Sequence, residues 1–365
     1  MEVRRYAGLE ALPDRYEALF QVAEKESFFN GALWYQALLA TAFSPGDEPH
    51  LYGLEERGSG RPLALLPAIR SRQNHGPIGA RTLSGCHSVY STAFSPLLSA
   101  GLVERKVAIE ALVGALAGDR PRWDVVSLRL LDRESDVFGF LLEALDRCGM
   151  ASEPYFQFGN WYEEIAGRSF DQYLASRGKS IRKTVARAVR HFDDRADGRY
   201  EMFAGEGVAD RAIAAFNEVY GASWKSEESH PEFIDRLIRD CAEQGTLRLA
   251  NLYIEDRPVA TWLVIIAHGT AMLLKTAYDA NLPSSLSVGG VLTYKVMKHL
   301  IDTDGAALID FGIGDEEYKS KWMSSRRERW GIMAYNRRTP RGALLGAMMR
   351  GRTWMRGILR RDAAS

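Results

Sequence analysis

Three β-like segments, Thr246–Ile254, Val259–Ala267 and Thr270–Tyr278, follow one another with only the short turns Glu255-Asp256 and His268-Gly269 between them. Turns this short leave no chain for a crossover, so the three segments must pair as an antiparallel meander. Two amphipathic helical patterns, Ala209–Tyr220 and Pro231–Glu243, precede the meander, and a basic helix, Ser180–Phe192, precedes those. After it come a loop (Asp279–Ser287), a helix from Gly289 to about Ile301, a strand at Ala306–Phe311, a helix carrying Lys319, and a last strand at Arg329–Tyr335. The order is helix–helix–β–β–β–loop–helix–β–helix–β. It belongs to the α/β (α+β) class, with a mixed, largely antiparallel sheet flanked by helices.

The first half is a looser copy of that order. Trp34–Phe43, Val103–Leu116 and Ser135–Cys148 read as helices, and Leu51–Glu55, Pro62–Ile69, Trp123–Leu130 and Tyr155–Ile165 as strands. No residue-level repeat is visible, so the duplication rests on element order alone. The expected organisation is an N-terminal lobe over 1–165, a C-terminal lobe over 166–340 and a basic amphipathic tail over 341–365. A length of 365 residues suits two domains.

Composition excludes several classes. Forty-seven basic and 47 acidic residues give no net charge, and so no overall signal for nucleic-acid binding. The three cysteines, Cys86, Cys148 and Cys241, lie far apart and form neither a disulfide framework nor a zinc motif. No metal is expected, and a reducing cytoplasm is the expected compartment. The first twenty residues carry acidic side chains and no apolar core, so no signal peptide is expected. No apolar run of about 18 residues offers a membrane span.

Chemistry concentrates in a few places. Ile309–Trp322, IDFGIGDEEYKSKW, delivers Asp310 at a strand end into a glycine-bounded turn and then places Tyr318 and Lys319 on a helix. Asp310 could serve a reaction or merely cap the turn; Tyr318 and Lys319 could be an ordinary exposed pair. In SSLSVGGVL, the run Ser287, Val288, Gly289, Gly290 and Val291 opens a helix. The first N–H groups of a helix are unsatisfied and lie at its positive end, so glycines there make a cradle for a diphosphate, unless they only form a turn. In SIRKTVARAVRHF, Arg182, Lys183, Arg187 and Arg190 form a cationic face, either for phosphates or simply solvated. His87, in SGCHSVYS, is a histidine whose ordinary pKa suits a general base, and a structural role is the alternative. Trp224-Lys225 and Tyr278-Asp279 read first as packing and turn residues. Eight arginines and no acid lie between Arg337 and Arg361, interleaved with large apolar residues. Such a segment could lie on an anionic membrane or pack on the body of the protein.

The stretch Asp310–Trp322 resembles the "DF-x-x-G-(D/E)-x-x-YK-x-x-W" signature of CelD/BcsL-type acetyltransferases in the GNAT superfamily, and more distantly an element of FemABX aminoacyl transferases. The resemblance extends to Phe28–Trp34, to the strand Ala64–Pro67, to Ser169, Phe170, Tyr173 and Leu174, and to the helix-opening glycines, although the proline common there is Val288 in this chain. It implies two tandem GNAT-like lobes and an acyl-CoA-dependent N- or O-acyltransferase, with acyl-CoA as co-substrate gripped at Ser287–Val291. It implies that Lys319 serves the acyl-donor end and that Tyr318 protonates the leaving thiolate. Asp310, Asp279 or His87 could remove the amine proton. No Cys or Ser sits in a nucleophile motif, so transfer is expected to be direct. The expected acceptor belongs to the bacterial envelope: a long-chain amine such as a sphingoid base, an amino sugar or a polysaccharide precursor. The expected location is cytoplasmic, with peripheral contact at the inner membrane as an option, and no nucleic-acid partner is expected. The alternatives are FemABX-type aminoacyl transfer from charged tRNA and a non-catalytic scaffold in polysaccharide synthesis.

Overall fold

The computed structural model describes residues 1–44, 46–70 and 79–349. In chain order its elements are β1 (Glu2–Tyr6), α1 (Glu17–Glu26), α2 (Ala32–Thr41), β2 (Glu48–Glu55), β3 (Pro62–Arg70), β4 (Thr82–Gly85), β5 (Leu97–Leu98), α3 (Arg105–Gly118), β6 (Val125–Asp132), α4 (Asp136–Arg147) and β7 (Met150–Glu164). They continue with α5 (Phe170–Ala175), α6 (Lys179–Asp193), β8 (Gly198–Phe203), α7 (Ala209–Gly221), α8 (Pro231–Glu243), β9 (Leu247–Ile254), β10 (Arg257–Ala267), β11 (Thr270–Tyr278), α9 (Val288–Asp302), β12 (Leu308–Ile313), α10 (Glu317–Trp322) and β13 (Ser325–Asn336). Residues 340–349 are helical.

The chain divides into two compact units that are not contiguous in sequence: Met1–Gln157 with Glu328–Ser365, and Phe158–Arg327. In the first, the strand order is β1-β2-β3-β4-β6-β13. Every pair in it is antiparallel except β4 with β6. In the second, the order is β8-β9-β10-β11-β12-β7. There every pair is antiparallel except β11 with β12. The two units therefore repeat one pairing pattern. The strand that closes each is drawn from elsewhere in the chain: β13 closes the first and β7 the second. Each unit is a mixed, mostly antiparallel sheet flanked by helices, as the element order implied.

Local chemistry explains the second unit. The β9–β10 turn puts Glu255 and Asp256 at φ 51° and 59°, and the β10–β11 turn puts His268 and Gly269 at 48° and 76°. Two consecutive left-handed residues form the type I′ geometry that matches strand twist in a two-residue hairpin. β10 is buried over nearly its whole length, because helices cover both faces of the sheet. α8 begins with Pro231 in its first turn, where the missing N–H costs nothing, and buries Phe233, Ile234, Leu237, Ile238 and Cys241 at spacings of three and four. α5 opens with a capping box in which Ser169 and Gln172 satisfy each other's backbone N–H. The Tyr173 hydroxyl then donates to the Trp322 carbonyl at 2.5 Å. The SF-x-x-Y-L element is thus a packing device for the end of α10.

The feature that makes room for a site is a splay. β11 and β12 pair only at Thr270–Met272 with Leu308–Asp310. Beyond those three rungs the two strands no longer pair, and the far end of β11, Thr276 and Tyr278, shares a cavity with the first turn of α9.

Candidate active site

A cavity of about 650 Å³ lies in the second unit. Its walls are Val185 and Ala188 of α6, Trp262 of β10, Thr276 and Tyr278 of β11, Val288, Gly289, Gly290 and Thr293 of α9, and Tyr318 and Trp322 of α10. Trp224, Asp279, Leu282 and Ser287 complete the rim. The Trp224 and Tyr278 rings lie 4.2 Å apart and are both substantially exposed, so the mouth is an aromatic slot. A mostly apolar pocket of this size with few polar groups is the usual form of a small-molecule site.

Those polar groups are specific. Ser287 precedes α9 in the left-handed conformation, at φ 48°, and no side chain caps the helix. Val291 N–H bonds back to the Ser287 carbonyl at 3.0 Å, whereas the N–H groups of Val288, Gly289 and Gly290 have no hydrogen-bond partner among the described residues. Three open donors thus converge at the positive end of a 15-residue helix, against the cavity. Neither glycine is required by the fold. Neither has a positive φ. A methyl group on Gly289 would meet only the Tyr278 ring, at 3.6 Å, and one on Gly290 only the edge of Val185, at 4.0 Å. Glycine in a helix costs about 1 kcal/mol relative to alanine, so two together without a packing need keep the surface before the N–H groups clear.

Tyr318 lines the same cavity. Its hydroxyl has no partner among the described residues. Burial, reinforced by the nearby Glu316 carboxylate, holds its phenol well above the ordinary tyrosine value. The group stays protonated at neutral pH and so has a proton to donate.

Asp310 and Lys319 stand behind the cavity wall rather than on it, each only 3% exposed. One Asp310 oxygen accepts from Asn160 Nδ2 at 2.6 Å and from Gly312 N–H at 2.7 Å; the other accepts from Arg327. Arg327 Nε in turn donates to Asn160 Oδ1 at 2.6 Å. This closed network fixes the irregular register of β12 against β7 between Asp310 and Ile313. The Lys319 ammonium donates to the Ile313 carbonyl and pairs with Glu316 at 3.0 Å, pinning the turn that leads into α10. The sequence placed both at element ends facing a site; in the structure both hold the frame that positions Tyr318. Asp279, equally buried, is occupied by Arg257 and by Asn281.

The remaining sequence candidates fall outside the cavity. Val291 is fully buried in the core beneath α9. His87 belongs to the first unit. Its ring sits edge-on to Phe94 at 5.7 Å, its Nε2 has no partner, and burial, with Arg129 adding to it, pushes its pKa down to about 3. It is a neutral core imidazole, because a proton there would be an unpaired buried charge. Sequence reasoning passed over Trp224, Trp262, Thr276 and Tyr278 as walls of a site. The available signal was two exposed-type aromatics at element ends, which only the fold brings into contact.

Four cations of α6, Arg182, Lys183, Arg187 and Arg190, make no ion pair among the described residues, while Thr184, Val185 and Ala188 of the same helix face the cavity. Among the described residues no cluster of His, Cys, Asp and Glu could hold a metal. No described helix is long and apolar enough to cross a membrane.

Residues 179–320 match the family model described as the acetyltransferase (GNAT) domain. No curated protein matches the chain. Among solved structures the chain is similar to FemX, with TM-score 0.60 and 13% identity over 95% of this chain and 100% of that one. It is also similar to a tandem GNAT protein from the clavulanic acid biosynthesis pathway, with TM-score 0.52 and 9% identity over 91% of this chain and 98% of that one. A third likeness is to L-PGS from Bacillus licheniformis, with TM-score 0.52 and 11% identity over 89% of this chain and 96% of that one. At these identities the likenesses concern fold. The matched residues 179–320 lie within the second unit, and the fold of the chain is like that of FemX and of a tandem GNAT protein.

Proposed function

We propose that the second unit is an acyl-CoA-dependent N- or O-acyltransferase that transfers the acyl group directly to its acceptor. The observation that carries this reading is the set of three open N–H groups at Val288–Gly290, facing a cavity that also holds an unpartnered, protonated tyrosine. A diphosphate would settle on the N–H groups, where hydrogen bonds to an anion are shortest and strongest. The aromatic walls would sheath the pantetheine arm and acyl chain. An acceptor amine would attack the thioester carbon, forming C–N and releasing the thiolate from carbon. Tyr318 would give its proton to that sulfur and be reprotonated by the proton the amine loses, through water. Asp310, Lys319 and Asn160 act here as positioning residues for the turn that carries Tyr318. The acceptor class we propose is an amine of the bacterial envelope, a long-chain base or an amino sugar.

Calorimetric titration with CoA and acyl-CoA tests the donor. Micromolar binding that weakens when Gly290 is replaced by valine supports the reading; no binding of any CoA species overturns it.

One observation favours a second reading. The unpaired cations of α6 exceed what the few phosphates of CoA need, and they would suit the backbone of a charged tRNA. Transfer from aminoacyl-tRNA with a steep salt dependence, and none from acyl-CoA, would establish that alternative.

A further inference from the structure

On the α7 side of β11 stands a group that the reaction above does not use. Side chains alternate along a strand, so with Thr276 on the cavity wall the neighbouring Lys275 points to the opposite face. There its ammonium lies 5.5 Å from the Tyr220 ring of α7 and pairs with Glu228 at 2.6 Å. Lys225, just past the end of α7, lies over the same ring at 5.8 Å and over Trp224 at 5.9 Å. Trp224 is itself part of the cavity rim. Lys225 therefore adjoins the rim of the cavity.

Lys225 and Lys275 share the Tyr220 ring, Glu228 pairs with Lys275, and Lys319 and Glu316 are near enough to act on Lys225 electrostatically. Lys275 has Glu228, and Lys319 has Glu316. The Lys225 ammonium has neither hydrogen bond nor ion pair among the described residues, the backbone N–H alone donating, to Ser223 Oγ at 3.3 Å. A half-buried ammonium is thus left without a paired carboxylate among the described residues. Burial, and then repulsion from Lys275, pushes the Lys225 pKa below the ordinary lysine value, which an arriving anion would reverse. A partly desolvated cation resting only on aromatic rings is an incomplete site.

We propose that Lys225 holds an oxyanion, a carboxylate or a phosphate, carried by the acceptor. The proposal rests on the reading of the cavity as the acyl-donor site. The donor's diphosphate is already provided for at α9, on the other face of β11. An anion bound at Lys225 would place an attached amine at the splay between β11 and β12, opposite the donor. The acceptor would then be amphoteric, with its nucleophile a few bonds from its negative charge.

Two experiments decide this. In the first, full-length wild-type protein without any donor is dimethylated with formaldehyde and borohydride, and labelling at Lys225 is read by mass spectrometry. Three matched pairs are used, β-alanine with propylamine, phosphoethanolamine with ethanolamine, and glucosamine 6-phosphate with glucosamine; because a primary amine would consume the formaldehyde, labelling uses the hydroxyl analogue of each member and the kinetics use the amine itself. At least one anionic member should protect Lys225 about fivefold or more while its neutral partner does not; the pair that responds tells carboxylate from phosphate. In the second, Lys225→Gln should shrink the kinetic preference for the anionic member about tenfold, the scale of one charge-assisted hydrogen bond, with CoA affinity unchanged. Equal protection by charged and neutral members, or no protection by any, overturns the proposal. Failure of wild-type protein to bind CoA would instead overturn the donor reading, and the labelling result would stand on its own.

Discussion

Gly290 separates what the fold needs from what the site needs. Its φ is not positive, and a methyl group there would touch only Val185, at 4.0 Å. Gly290→Ala should therefore stabilise α9 by up to about 1 kcal/mol, the helix propensity gained. Gly290→Val should be near neutral in stability, because the β-branched side chain gives back most of that gain. Its two outer methyls, however, would stand before the open N–H groups. Each hydrogen bond from backbone to a charged phosphate contributes about 1.5–3 kcal/mol, so losing one weakens CoA binding by roughly 10- to 150-fold. Urea unfolding gives the stability of both variants, and calorimetry with CoA gives the affinity. Unchanged CoA affinity in a folded Gly290→Val protein would remove the helix N-terminus from the site. A large loss of stability in Gly290→Ala would show that the glycine serves packing after all.

Other outcomes follow from the same geometry. Tyr318→Phe should keep CoA affinity and stability while kcat falls about 100-fold, the scale of losing a general acid, which a thiol-release assay reads. Asp310→Asn should lower stability by about 3 kcal/mol in chemical unfolding, because it leaves Arg327 unpaired within a closed network, while the folded fraction still binds CoA. His87 stays neutral in the folded protein down to about pH 3 but takes a proton below about 6.5 when unfolded. Unfolding thus binds a proton in that window, so stability is lost as pH falls through it, by at most about 5 kcal/mol in all. His87→Leu should flatten that slope in urea unfolding followed from pH 6.5 to 4. The basic tail beyond residue 349 lies outside the described residues, but 340–349 is helical with Leu344 and Met348 exposed. Replacing the arginines at 350, 352, 356, 360 and 361 with glutamine should abolish co-sedimentation with anionic liposomes, each contributing up to about 1 kcal/mol at low salt, and leave CoA binding intact.

Much of the second unit was legible in the sequence because its signals are local. The two-residue turns at Glu255-Asp256 and His268-Gly269, the proline opening α8 and the glycines opening α9 each act within a few residues. β8, α1 and the short β4 went unread, since their burial patterns are irregular and their partners distant. Which unit each closing strand serves was not legible either. β7 and β13 read equally well as the end of their own half, and only long-range pairing sends β13 to β6 and β7 to β12. At the site, the helix-opening glycines came from residue type and spacing, and the part proposed for Tyr318 from the resemblance to GNAT acetyltransferases. The inward placement of Asp310 did not, because it depends on Asn160 and Arg327, 167 residues apart from one another in the chain. His87 carried the right chemistry in a place that only the fold shows to lie in the other unit.

The most direct test of direct transfer from acyl-CoA is steady-state release of the CoA thiol, with acyl-CoA and an amine both varied. The account predicts release that requires the amine, double-reciprocal lines that intersect, and no acyl group left on the protein when acyl-CoA is mixed with it alone. Parallel lines with a covalently acylated protein would contradict it. So would transfer supported by aminoacyl-tRNA and by no CoA thioester.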